Sequence, residues 1–120
     1  MSDIQQANIP ASTVTLLASA ARTATVTGTA VKGLSAARLL VMQLDVTAAS
    51  GTLPTLDVVV QDTVDGTNWN TIATFTQATG VTREVIRLTT AFTDQLRVVG
   101  TIGGTTPSFT FAVLTWADSN

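Results

Sequence analysis

Cysteine, histidine and tyrosine are absent from this sequence, and lysine and glutamate occur once each, as Lys32 and Glu84. Without cysteine there is no disulfide framework, no thiol nucleophile and no thiolate metal site. Without histidine there is no Ser-His-Asp triad, no imidazole base and no His-ligated zinc. Most hydrolase, redox and metalloenzyme chemistry is thereby excluded, and no catalytic, cofactor-binding or metal-ligating residue is assigned. Cations are scarce too. Six Lys and Arg against eight Asp and Glu leave a net charge of −2, with no basic block. Nucleic-acid binding, which displaces counterions with clustered cations, is not expected, nor is attraction to an anionic membrane surface. No apolar run reaches the roughly 18 residues of a spanning helix. The opening Met-Ser-Asp-Ile-Gln-Gln has neither a basic nor an apolar region, so no secretory signal is expected and synthesis in a cytoplasm is.

What is present is threonine, 24 residues of it in a chain of 120. Thr and Val are stiff at χ1 and sit well on pleated sheets, whereas a helical protein would use far more Glu and Lys. The composition predicts an all-β, single-domain protein: an antiparallel β-sandwich or jelly roll over residues 13–120, preceded by an extended N-terminal arm over residues 1–12 that Pro10 closes. Eight strands are expected, at Thr13–Ser19, Arg22–Val31, Arg38–Thr47, Thr55–Asp62, Trp69–Thr76, Thr82–Thr89, Asp94–Ile102 and Ser108–Trp116. Leu40, Met42, Leu44 and Val46 share one face of the third, Leu56, Val58 and Val60 one face of the fourth, and Phe109, Phe111 and Val113 one face of the last. The first is the least regular, because Leu16, Leu17, Ala20, Ala21 and Ala24 also fit a short helical face. In the fifth, Ile72 and Phe75 have opposite parity, which a bulge would reconcile. Breaks are expected at Gly33, Ala48-Ala49-Ser50-Gly51, Asp65-Gly66, Gly80 and Gly103-Gly104. No internal repeat stands out.

The sharpest local signal is Asp62-Thr63-Val64-Asp65-Gly66-Thr67-Asn68-Trp69. Asp-Gly between two strands is a hairpin signal, so Asp65, Gly66, Asn68 and Trp69 are assigned to a hairpin turn. The same oxygens suit Ca²⁺, but the alternate acidic positions and terminal Glu of an EF-hand loop are missing. Gly100-Thr101-Ile102-Gly103-Gly104 has the glycines of a phosphate loop without the helix that such a loop needs. Asp57, Asp62, Asp65 and Glu84 contain no pair spaced for glycosidase work. Trp69 and Trp116 are expected to pack on the core or cap its end, with a sugar platform as the alternative. Trp116 shares outward parity with Leu114 and Ala112, and an apolar stripe on an outer face predicts a second layer or a subunit contact. Arg83, Arg87 and Arg97 also have outward parity.

Arg38–Thr47, Leu56–Asp62, the turn Asp65–Trp69, Leu96–Gly100 and Pro107–Phe111 resemble small tailed-phage virion proteins of the β-sandwich head-decoration, or cement, type, over roughly Gly33 to Trp116. The resemblance implies a non-enzymatic protein on the outside of a capsid that binds the major capsid protein, bridges its subunits and self-associates as a homo-oligomer. Ile4 and Ile9 on the arm, with Leu114 and Trp116, are the candidate partner-binding residues. A tail or connector subunit, or a tail-borne carbohydrate-binding module using Trp69, are the alternatives.

Overall fold

The computed structural model describes residues 11–118 and is nearly all antiparallel β. The strands are β1 (Ala11–Arg22), β2 (Val26–Thr27), β3 (Leu39–Thr63), β4 (Trp69–Thr74), β5 (Thr82–Leu88) and β6 (Gln95–Asp118), with a short 3-10 turn at Leu34–Ala36. Of the arm expected over residues 1–12, Met1 to Pro10, including Ile4 and Ile9, lie outside the described residues. Ala11 and Ser12 already belong to β1, opposite Asp118 and Ala117.

There are six strands among the described residues and not eight, because two of the expected breaks do not interrupt pairing. Ala48 to Gly51 lies inside β3, and Gly103-Gly104 inside β6. These two strands of 25 and 24 residues run antiparallel along their whole length, from Leu39 opposite Asp118 to Thr63 opposite Gln95. Such a ribbon cannot be straight. Leu88 pairs with Leu40 while Gln95 pairs with Thr63. The seven residues from Leu88 to Gln95 reach at most about 25 Å, whereas a straight strand from residue 40 to 63 would be about 75 Å long. The ribbon is therefore doubled over, giving a sandwich-like body. One layer holds β1, the second half of β6, the first half of β3, and β5, in that order. The other holds β2, the first half of β6, the second half of β3, and β4.

The core lies between the layers and follows from alternation. Leu40, Met42, Leu44 and Val46 face inward from the first layer with Phe109, Phe111 and Val113; Leu56, Val58 and Val60 meet them from the second with Leu96 and Val98. Gly100 leaves room for the Phe111 ring: a Cβ there would sit 3.0 Å from Phe111 Cζ. The irregular sequence stretches become bulges. β1 is shifted twice, between Thr15 and Leu17 and between Leu17 and Ala20, so the adjacent Leu16 and Leu17 are both buried. The helical alternative fails because the bulges, not a 3.6-residue period, set that spacing. In β4 the register skips Ile72, which reconciles the opposite parities of Ile72 and Phe75. Of the strand expected over Arg22–Val31, β2 keeps two residues and a single bridge from Val31 to Leu96, since Gly28 gives one close backbone contact to Val98 and no side chain.

The bend itself contains a repeat. Gly51-Thr52-Leu53-Pro54 on β3 and Gly104-Thr105-Thr106-Pro107 on β6 cross there, with Thr52 opposite Thr105. Both glycines have φ 112°, and Leu53 and Thr106 have φ 49° and 50°. Ser50 pairs with Ser108 on one side and Thr55 with Gly103 on the other, positions that exchange under a two-fold rotation. The relation extends along the chain. Val60 matches Val113 at the spacing that relates Gly51 to Gly104. The bulge after Val46 adds one residue to the first unit, so that Val46 takes the place in its layer that Gly100 takes in the other. The strand order carries it further: β1, β2 and β3 occupy in one direction the places that β4, β5 and β6 occupy in the other. The chain is thus two interlocked three-stranded units, and the expectation of no internal repeat is corrected.

Candidate functional site

The hairpin turn is built on one carboxylate. Asp65 Oδ1 accepts from the backbone N–H groups of Thr67 and Asn68, both at 2.8 Å, and Asp65 Oδ2 accepts from Asn68 Nδ2 at 2.8 Å. Thr63 Oγ1 donates to Asn68 O at 2.7 Å and accepts from Gly66 N–H at 2.9 Å. These bonds, led by the backbone N–H of Asn68, hold the Asp65 carboxyl well below the usual carboxylate range. The arrangement is a closed Asx turn whose acceptors point at its own backbone. A group whose pKa is depressed on folding adds stability above its unfolded value, and that contribution fades as pH falls through the folded value. The thermal midpoint of Asp65→Ala is therefore expected to lie below that of the parent at pH 6, and the gap to close as pH drops below about 4. A gap independent of pH between 6 and 2 would refute this account of the turn.

The other candidate carboxylates are engaged separately. Asp57 accepts from Gln77 Nε2, Asp62 from the Thr93 N–H at 3.0 Å, and Glu84 from the Thr76 N–H at 2.8 Å. Among the described residues no three His, Cys, Asp or Glu side chains gather as a metal site would require. Asp94, which composition did not single out, accepts from the N–H groups of Ser35 and Gly33 and fixes the 3-10 turn to the start of β6. Hydrogen bonds from Ser35 and Gly33 lower its pKa. No helix among the described residues is long and apolar enough to cross a membrane.

The two tryptophans lie on different layers. Trp69, directly after the turn, is half-buried with the Arg97 guanidinium over its ring at 4.2 Å, and Arg97 Nε donates to Gln61 Oε1 at 2.8 Å. One face of that ring, which a sugar platform would present, carries a cation instead. Outward parity located Arg97; its meeting with Gln61 and Trp69 depends on a strand pairing that the sequence does not state. Trp116 stands on the outer face of the first layer and is 46% exposed. Val41 lies opposite it, Leu114 lies opposite Gln43, and Val85 of β5 lies opposite Gln43 from the other side. Thr13, Val41, Gln43, Val85, Leu114 and Trp116 line a shallow depression of about 220 Å³. The outward stripe expected from Leu114 and Trp116 thus widens, with Val41 and Val85, into an apolar patch over three strands of its layer, with Gln43 within it and Thr13 of β1 at its margin. Such a face on a sheet is a feature of association surfaces.

Comparison of the chain with family models, with curated proteins and with solved structures gives no match. The functional reading therefore rests on the surface and the topology.

Proposed function

We propose that this protein is a non-enzymatic virion component of the head-decoration type, which binds the outer surface of a phage capsid and stabilises the shell by bridging capsid subunits. The observation that carries the reading is the apolar outer face formed by Val41, Val85, Leu114 and Trp116. A permanent contact tolerates an apolar patch of this kind, bordered here by Arg83, Arg87 and Asp45, whereas a protein that stays free in solution would gain nothing from it. The topology supports the same reading. Counting each half of β3 and β6 as a strand gives eight segments, ordered 1-8-3-6 in one layer and 2-7-4-5 in the other. That order supports reading the body as a jelly roll, an architecture common in viral shells. Ile4 and Ile9, outside the described residues, remain candidate anchors on a neighbouring subunit.

Bridging works by multivalency: a copy held at one subunit meets the next at high effective concentration, and binding only the assembled shell stabilises that shell. Purified protein mixed with expanded shells lacking it is expected to co-sediment at saturating stoichiometry and to raise the temperature at which the shells release DNA or dissociate. Trp116→Asp, folded by circular dichroism, is expected to bind at least 100-fold more weakly. Shells that bind nothing overturn the head reading, and binding to tails or connectors alone replaces it with a tail role.

A further inference from the structure

An antiparallel sandwich exposes four strand edges, and here they are unequal. The edge strand β1 is bulged twice, and Arg22 covers part of its backbone by donating to Ala18 O, Ala20 O and Phe111 O at 2.9–3.2 Å. β2 is two residues long, and β4 is bulged at Ile72. These are the devices that keep sheet edges from pairing with other chains. β5 has neither a bulge nor a covering side chain, and its protection is charge alone: Arg83 and Arg87 point outward, and Glu84 has the inward parity and accepts from the Thr76 N–H. Its seven residues pair with β3 from Leu88 opposite Leu40 to Thr82 opposite Val46 without a register shift. Among the described residues it pairs with no other strand. Its outward side chains are Arg83, Val85 and Arg87, all exposed, while Ile86 and Leu88 turn to the core. Asp45 faces Arg83 and Val41 faces Arg87, so the outward side of the strip carries two cations against one carboxylate, Glu84 being turned to the other side.

We propose that β5 is a docking edge for an extended acidic segment of another protein, added as a strand, with carboxylates at two alternate positions flanking a small apolar residue. The main-chain ladder supplies the attraction and the side chains the selection. The spacing decides which partner is accepted. Self-pairing centred on Val85, the register that uses the whole edge, sets Arg83 opposite Arg87 of a second copy. Moving the centre to Glu84 sets two Glu84 side chains opposite each other. Like charges directly opposite on neighbouring strands are destabilising, so the edge discriminates against its own copies. An Asp-x-Val-x-Asp segment instead places a carboxylate opposite each guanidinium and Val opposite Val85. The edge borders the apolar outer face through Val85, but the inference does not depend on the capsid reading.

The probes are three synthetic heptapeptides on the intact protein: Thr-Asp-Thr-Val-Thr-Asp-Thr, the same peptide with both Asp replaced by Asn, and the same with both replaced by Lys. Backbone amide shifts are followed by NMR. The Asp peptide is expected to perturb residues 82–88 and to bind at least tenfold more tightly than the Asn peptide, with the difference shrinking in high salt. In the double variant Arg83→Glu, Arg87→Glu, the preference is expected to reverse toward the Lys peptide. The variant Arg83→Thr, Arg87→Thr, which keeps good strand formers on an exposed face, is expected to self-associate on size-exclusion chromatography. Equal affinity for the Asp and Asn peptides, perturbation away from β5, or no binding at millimolar peptide overturns the inference. Because no capsid is present, shells that bind while the peptide does not leave the decoration reading standing, and the reverse result leaves the edge standing without it.

Discussion

Gly51→Ala and Gly104→Ala are each expected to lower the free energy of unfolding by about 3 kcal/mol, measured by urea titration. Two costs combine. Both residues hold φ 112°, where an L side chain is strained. A Cβ would also meet backbone that cannot swing aside: 2.7 Å from Thr106 O and 2.9 Å from Pro107 Cα at Gly51, and 2.7 Å from Leu53 O and 2.9 Å from Pro54 Cα at Gly104. Gly66 separates the two terms. Its φ of 82° is also positive, but nothing lies within 4 Å of where its Cβ would be. Gly66→Ala is therefore expected to cost about 1 kcal/mol. If all three substitutions cost the same, the close crossing of the two strands is not what the glycines protect.

Phe111→Ala is expected to cost about 3–5 kcal/mol, since the ring is fully buried at the centre of the core. Its surroundings sharpen the prediction. Under the two-fold relation the facing pair Phe111 and Val46 in one layer corresponds to Val58 and Gly100 in the other. One layer carries a large ring where the other carries Val, and Gly100 takes the small place opposite. Gly100→Val alone overpacks against the ring and is expected to cost about 1–3 kcal/mol. In the Phe111→Ala background the same valine enters the vacated space, so the double variant is expected to be more stable than the sum of the single effects allows. Additive losses in a double-mutant cycle would show that the two sites do not share one volume.

Much of this was legible in the sequence because alternation is a strong signal where one face is buried. Met42, Leu44 and Val46, and Phe109, Phe111 and Val113, fell on the core face as their parity required. The outward placing of Leu114 and Trp116 came from the same parity. What was misread has a common cause. Glycine and proline mark departures from regular backbone, and a sharp bend within a paired strand uses the same residues as a loop between strands. Ala48 to Gly51 and Gly103-Gly104 therefore read as breaks. The repeat was hidden by its own variation, since Thr replaces Leu at 106, Phe replaces Leu at 109, and a bulge changes the offset. The apolar face and the free edge were beyond reach, because Val41, Val85 and Trp116 become neighbours only once β5 and β6 take their places on either side of β3.

The interlocking of the two units also has a consequence for how the chain is threaded. Ala11 pairs with Asp118, so the start of the first unit lies beside the end of the second. Thr63, opposite Trp69 where the connection between the units begins, and Trp116, opposite Thr13, are equivalent positions. The connection from the first unit to the second thus corresponds to the gap between the second unit and the first. Neither unit is first in any architectural sense: the layers would be the same if the polypeptide entered at Trp69 and left at Thr63. The order in which a ribosome delivers the two units is a property of the gene, and the finished body keeps no trace of it.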